Sequence, residues 1–303
     1  MNNILVSIVI VLGPSKKNNV SRCIKSICAS DYKNVEIILV DNSCNPDASE
    51  KILEEFRFVR ILIMPKNTGL FAYNVGYSNS AGKYILTLDD DCEISVDGIS
   101  VMVNYLEKQS ESVGIGSLNV YNPISKTYEW HHFLNEKSLV LPTFAGGACV
   151  FRKKMLENIG YYDDSFFLWI HEDDLSLRAM SQGYQVHFLR DVVVKHHDFT
   201  KILRPKKLFL TFRNRAWLNI KHFSLLTWPL LVVRDILYGG SLAFGQPEFL
   251  KRSFFISAGY IWGYLTFFIK LKDRKVVSWS IQKRFLRNFY LKTYQSFKSY
   301  QTL

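Results

Sequence analysis

The chain has no C-x-x-C spacing, no G-x-G-x-x-G loop behind its first apolar run, and only 3 acidic residues after position 200. Its five cysteines, Cys23, Cys28, Cys44, Cys92 and Cys149, are odd in number and scattered. That argues against a disulfide framework or a zinc site and for reduced thiols in a cytosolic compartment. The missing glycine fingerprint argues against a dinucleotide-binding fold. The start, Met1-Asn2-Asn3-Ile4, has no basic stretch and no small-residue cleavage site, so it reads as the approach to a strand and not as a signal peptide. The shortage of acid is local. Residues 201–303 carry 19 Lys and Arg against 3 Asp and Glu, whereas residues 1–200 carry 19 against 24. The net charge of +11 therefore belongs to the last third.

What is present reads as a globular α/β protein: 303 residues, 48% hydrophobic and 21% charged. Val6–Val11 is an unbroken β-branched run. Val20, Cys23, Ile24, Ile27 and Cys28 then recur at helical spacing. Val35–Val40 and Val59–Met64 predict two further strands, with a helix over Ala48–Phe56 between them. Strands that are apolar throughout and alternate with helices predict a mainly parallel sheet covered on both faces. Gly98–Glu107 predicts a helix and Val113–Val120 a strand. Residues 121–141 read as irregular, with Trp130, His131 and His132; the two adjacent histidines could ligate a metal, but neighbours in sequence rarely point the same way, which favours a loop contact to a ligand. Val186–Leu189 and Val192–Val194 read as two short strands.

The strand Tyr84–Leu88 runs straight into Asp89-Asp90-Asp91. Ligands of open α/β sheets gather at the carboxyl ends of the strands. Carboxylates crowded there repel one another unless a cation or a proton intervenes. Hard oxygen ligands at such spacing suit Mg²⁺ or Mn²⁺.

In order, the chain carries Val40-Asp41-Asn42, then Asn67-Thr68-Gly69, then Asn74-Val75-Gly76, then Leu88-Asp89-Asp90-Asp91. This series resembles family 2 of the glycosyltransferases, inverting enzymes of the GT-A fold that use nucleotide-activated sugars, and in particular its rhamnosyl and galactofuranosyl members. The resemblance implies a Rossmann-like catalytic domain over residues 1–205 and a basic, mostly helical region over 206–303. It implies that Asp41 contacts the nucleotide base, with Asn42, Asn67, Gly69 and Asn74 in the surrounding loops. Asp89, Asp90 and Asp91 would hold the donor diphosphate, with Asp89 and Asp91 reaching it through the metal. Gly146 and Gly147, in Phe144-Ala145-Gly146-Gly147-Ala148, resemble the family's glycine pair lining the sugar pocket. His196, with His197 as the alternative, would complete the metal site. The absence of a Gln-x-x-Arg-Trp motif disfavours a processive synthase.

Inverting transfer also needs a base, because the acceptor hydroxyl loses a proton as it attacks the anomeric carbon. His171-Glu172-Asp173-Asp174-Leu175-Ser176-Leu177-Arg178 resembles the family segment that supplies one. Alignment without a gap on Leu175 and Arg178 selects Glu172. Matching the letters Glu-Asp instead selects Asp173. Asp174 suits a helix start, where the dipole favours a carboxylate.

The tail has apolar runs at Phe223–Val233, Ile236–Phe244 and Ser253–Ile269, bracketed by Lys251, Arg252, Lys270, Lys272, Arg274 and Lys275. The last run holds 17 uncharged residues, short of the ~20 a bilayer span requires. These runs predict interfacial helices on anionic lipid, against a buried helical subdomain, a homo-oligomer interface or a true span. Residues 276–303 read as a terminal basic helix. No nucleic-acid-binding module is present. The expectation is an enzyme at the inner face of the cell membrane that moves a sugar onto a lipid-linked glycan. A polyprenyl-phosphate acceptor and a non-catalytic membrane-bound scaffold are the alternatives.

Overall fold

The computed structural model describes residues 4–13, 19–128, 139–197 and 205–286. The loop with Trp130, His131 and His132 and the basic stretch from Arg287 onward lie outside these residues. The chain divides into two compact units, residues 1–167 with 182–199, and residues 168–181 with 200–303.

The first unit contains β1 (Val6–Leu12), α1 (Val20–Cys28), β2 (Val35–Asp41), α2 (Pro46–Glu55) and β3 (Arg60–Ile63). There follow α3 (Leu70–Ser78), β4 (Tyr84–Asp89), β5 (Cys92–Ile94), α4 (Gly98–Lys108), β6 (Val113–Asn122) and β7 (Thr127–Tyr128). Then come β8 (Val140–Leu141), β9 (Ala148–Arg152) and α5 (Lys153–Ile159). After α6 (His171–Ser181), which belongs to the second unit, β10 (Gln185–His196) closes the first.

The sheet runs β3-β2-β1-β4-β9-β6-β10-β5. Its first four strands are mutually parallel, and β10 is parallel to β6. Strand β9 is antiparallel to both β4 and β6, so it is an inverted strand in the middle of the sheet. Side chains alternate between faces along a strand. The even positions of β1, from Val6 to Leu12, share a core with Val20, Cys23 and Ile24 of α1 and Met102 and Leu106 of α4. On the other face, α3 rests Gly76 against Val9 and Val40. Both faces are therefore covered, which is why the strands read as unbroken apolar runs.

Two expectations change. The two strands foreseen over 186–194 are one strand, β10, with a shift of register between Leu189 and Val193. The Asn119 side chain donates to the Arg190 carbonyl at 2.8 Å and so satisfies the displaced backbone. The stretch 121–141 is not wholly irregular: the end of β6 turns back as β7. Asn122 accepts from the amides of Ile124 and Ser125, and the Tyr121 ring packs tilted against Tyr128 with centroids 4.9 Å apart.

The second unit holds α6, α7 (Pro205–His222), α8 (Trp228–Ala243), α9 (Phe249–Leu265) and α10 (Phe268–Leu271). Helix α6 groups with α7 in this unit. The Asn214 amide of α7 donates to the carbonyls of Leu168 and Trp169 at 2.7 and 2.8 Å. The interior of this unit sets a buried ionic cluster beside two apolar ones, around Leu218, Phe223 and Leu231 and around Leu208, Phe212 and Leu242. Asp235 accepts from Arg215 at 2.7 Å, Arg234 at 2.9 Å, Asn219 at 3.0 Å and Tyr260 at 3.1 Å.

Ile8 is fully buried at the centre of the sheet. Replacing it by alanine removes three carbons from a packed site. The expected cost is about 2–5 kcal/mol, read as a lower midpoint in urea with an unchanged slope.

Candidate active site

The parallel register sets Leu12 beside Asp41 and Val11 beside Asp89, so both carboxylates leave the sheet at its carboxyl edge. Asp90 and Asp91 form the two-residue turn that joins β4 to β5. Strand β5 then pairs antiparallel with the end of β10, Cys92 opposite His196. The amide of His197 donates to the Asp91 carbonyl at 3.1 Å and pins the turn. In consequence His196 Nε2 lies 3.2 Å from Asp91 Oδ1. His197 takes another direction, with Nε2 2.8 Å from Glu93.

Among the described residues, Asp91, Cys92 and His196 offer ligand atoms within 4.8 Å of one another. Burial pushes the Cys92 thiol up, with Asp89 adding to the shift, so it stays protonated. A protonated soft thiol is a poor ligand for a hard cation. The carboxylate and the imidazole remain. Two ligand atoms at right angles on an ion with bonds of about 2.1 Å lie about 3.0 Å apart, so the observed pair fits one divalent ion. Asp89 lies outside this group. Its Oδ1 accepts from the Tyr73 hydroxyl at 3.1 Å, and its amide donates to the Gly147 carbonyl at 2.8 Å. Burial, with Asp89 close by, raises the Tyr73 phenol well above its usual range and keeps it a donor. Tyr73 was not singled out in the sequence, although it sits within the Asn67–Gly76 motif.

The glycine pair has a specific reason in this chain. A Cβ at Gly147 would overlap Asp89 Oδ2. Gly146 precedes it, and its carbonyl lies 3.6 Å from the Cys149 sulfur. Gly69 has φ +58°, and a Cβ there would overlap the Phe167 carbonyl, which accepts from Leu70 at 2.8 Å.

The remaining residues expected around the nucleotide are engaged within the protein. Asp41 is 2% exposed; Oδ1 accepts from the Ser43 amide at 2.9 Å and hydroxyl at 2.5 Å, and Oδ2 accepts from the Ser49 hydroxyl. Asn42 donates to Asn67 at 3.2 Å and accepts from the Thr68 amide at 2.9 Å. Asn67 in turn accepts from the Gly69 amide at 3.0 Å. Asn74 exchanges two bonds with the backbone of Tyr162, at 2.8 and 3.0 Å. These side chains tie the loops after β2 and β3 together and anchor the segment before Phe167.

In the second unit, Glu172, Asp173 and Asp174 occupy the first turn of α6. The backbone leading into it is strained: Phe167, Trp169 and Ile170 have φ of +63°, +63° and +66°. Such conformations cost of order 1–3 kcal/mol each for non-glycine residues, and the Asn214 bonds hold the carbonyls of Leu168 and Trp169 in place. The three acids are not equivalent. Asp174 is buried against Lys221 at 2.7 Å, His222 at 2.8 Å and Arg178 at 2.9 Å. Burial alone would raise its carboxyl, but Arg178, His222 and Lys221 together hold it well below the usual range. Burial lowers His222, so the imidazole donates to Asp174 in its neutral form. Glu172 is one-quarter exposed and lies 3.3 Å from His171, which burial lowers to about 3.

The sequence profile of Glycosyl transferase family 2 matches residues 7–160, more than half of the chain. The chain belongs to this family. The matched stretch contains Asp41, Asp89–Asp91 and the glycine pair, and it ends before Glu172 and His196. The chain is 24% identical over 267 residues to the dTDP-rhamnosyl transferase RfbF of Shigella flexneri, covering 78% of this chain and 86% of that one. It is 32% identical over 119 residues to the glycosyltransferase GlyA of Streptococcus pneumoniae, covering 38% of this chain and 17% of GlyA. The chain thus spans well under two thirds of some curated relatives. The mannosyltransferase PcManGT of Pyrobaculum calidifontis, solved with GDP-Man and Mn²⁺, superposes with a TM-score of 0.57 at 15% identity over 98% of this chain and 83% of that one. The fold is GT-A, followed by a helical region.

Two outcomes follow from this geometry. Gly147→Ala should cost about 1–3 kcal/mol through overpacking. In an Asp89→Ala background the same change should cost less, because the colliding oxygen is gone; equal losses in thermal unfolding would contradict the contact. Asp174→Asn should cost about 3–5 kcal/mol at neutral pH by leaving buried cations uncompensated. The folded carboxyl titrates well below the usual aspartate range, so its contribution is complete above that range and lost as pH falls through the folded value. The stability gap between wild type and Asp174→Asn should therefore close in acid.

Proposed function

We propose that this chain transfers a sugar from a nucleotide-diphosphate sugar to a hydroxyl of a lipid-linked glycan, inverting the anomeric configuration, in the building of a bacterial surface polysaccharide. The observation that carries the reading is the Asp91–His196 pair, 3.2 Å apart and next to Asp89 at the carboxyl edge of the parallel strands. That is where an open α/β sheet takes its ligands. Family membership and the nucleotide-sugar complex of PcManGT support the donor class.

In the proposed reaction the acceptor oxygen forms a bond to the anomeric carbon while the bond from that carbon to the diphosphate breaks. The acceptor proton passes to a carboxylate, and the electron pair of the broken bond leaves with the diphosphate. A bound Mg²⁺ or Mn²⁺ would supply positive charge to the diphosphate oxygens, held by Asp91 and His196. Asp89, oriented by Tyr73 and by the bare Gly147, would add a second carboxylate next to that charge. Asp41, Asn42, Asn67 and Asn74 would act by fixing the loops that carry the nucleotide, since each already bonds within the protein. Glu172 or Asp173 would take the proton. Asp174 serves the fold, because a carboxylate held ionised by three buried partners is too weak a base.

The test is a thermal-shift screen of nucleotide sugars with Mg²⁺ or Mn²⁺, followed by transfer assays on the donor that binds. Asp91→Ala should abolish the metal-dependent shift. Glu172→Gln or Asp173→Asn should leave donor binding intact and lower kcat by a factor of roughly 10²–10⁴. If the wild type binds no nucleotide sugar and none of these changes alters any transfer, the reading fails.

A further inference from the structure

Helix α8 is amphipathic in the reverse sense. Its exposed positions are Pro229, Leu230, Val233, Ile236, Leu237 and Gly240, without a single polar side chain. Its charged residues, Arg234 and Asp235, are 2% and 1% exposed and face the interior of the second unit. In water a surface helix turns its charge outward and its apolar stripe inward. A helix against lipid does the opposite, because hydrocarbon cannot solvate charge and the bundle interior can.

Helix α9 is similar, its exposed side chains being apolar apart from Lys251 and Ser257. Leu250, Phe254, Ile261 and Leu265 recur at helical spacing on its outer side, and Leu250 is 81% exposed. Its inner side carries Tyr260 and two glycines. A Cβ at Gly259 would overlap the Phe209 carbonyl of α7, and one at Gly263 would crowd Ala216. Small residues that let backbones approach are what helices use where lipid removes the hydrophobic drive to associate. Phe267, Phe268 and Leu271 extend the apolar surface through α10.

The charge at its margins is positive on balance. Lys251, paired with Glu248 at 2.9 Å, opens α9 beside Arg252, and Lys272, Arg274 and Lys275 follow α10 with Asp273 among them. A second copy of this chain would bring the same cations to the same margin, so charge disfavours self-association there. An anionic headgroup layer complements it. One-sidedness decides the mode of insertion. Residues Leu225–Ala243 are long and apolar enough to cross a bilayer by length and composition alone, but one side of α8 packs Leu231, Arg234, Asp235 and Leu242 into its own unit, so a single apolar face is open to lipid, as in a helix lying along the surface. Helix α9, of 17 residues, extends about 26 Å at 1.5 Å per residue, less than the ~30 Å hydrocarbon core.

We infer that the outward face of α8, α9 and α10 is a monotopic docking surface that lies in the acyl–headgroup boundary of an anionic lipid leaflet. It extends the proposed function by bringing the enzyme to the leaflet that would carry its acceptor, but it does not depend on transfer.

The test uses the full chain and vesicles of phosphatidylcholine, with or without phosphatidylglycerol. The wild type should float with the vesicles, more completely with the anionic lipid and less at high salt. The triple change Leu230→Ser, Leu250→Ser, Phe254→Ser alters only exposed side chains. It should lower partitioning roughly tenfold or more, while the circular dichroism spectrum, melting midpoint and donor-binding shift stay as in wild type. Lys251→Glu with Lys272→Glu and Lys275→Glu should remove the preference for anionic vesicles. Trp262, 53% exposed on α9, should be quenched by bromine-labelled lipid, and Trp262→Phe should lose that share of the quenching. The inference is overturned if the wild type stays in the aqueous fraction, or if the folded triple variant floats as well as wild type. It is also overturned if the wild type forms a lipid-independent oligomer that the same three changes dissolve. Loss of flotation with donor binding retained keeps this result separate from the fate of the catalytic reading.

Discussion

Three carboxylates leave one buried strand within three residues, and the architecture around them is organised by the need to keep that charge in place. Asp89 receives the Tyr73 hydroxyl and occupies the space that a side chain at 147 would fill. Asp91 meets His196 because β5 folds back along the end of β10. The inverted strand β9 is what carries Gly147 to Asp89, since its pairing with β4 runs from Tyr84–Arg152 to Leu88–Ala148. A parallel strand in that position would deliver its other end to the acidic edge. The topology of the sheet and the electrostatics of its edge are thus one constraint.

The second unit handles charge differently. It buries Asp174 among Lys221, His222 and Arg178, and Asp235 among Arg215, Arg234, Asn219 and Tyr260. Each acid has more than one partner, so the desolvation of a buried charge is offset by several bonds at once. Exposed apolar side chains lie on the outside of the same helices. That exposed surface is the one inferred above to meet lipid.

Much of the fold was legible in the chain because the signals are local. Unbroken β-branched runs, helical spacing of apolar residues and the acids at strand ends placed most strands and helices of the first unit. What escaped was non-local. The joining of 186–189 and 192–194 into one strand depends on Asn119 capturing the Arg190 carbonyl. The grouping of α6 with the tail depends on Asn214. Neither partner is near in sequence, and neither carries a pattern of its own. The same holds for the site. Asp41, Asn42, Asn67 and Asn74 stood out as polar residues at loop positions, but only their geometry reveals that they bind the protein's own loops.

By itself the sequence determined the family-level chemistry: carboxylates at the carboxyl end of a buried strand, a second acidic cluster further on, and a basic, apolar tail. Those are statements about residues adjacent in the chain, and short-range sterics and periodicity are enough to make them. Only the tertiary structure decided what each acid touches. Asp91 pairs with a histidine, Asp89 with a tyrosine, and Asp174 disappears into a cage of cations while Glu172 beside it stays partly exposed. Ionisation and ligation depend on the solvent and the charges within a few ångströms, and those are set by folding, not by neighbouring letters.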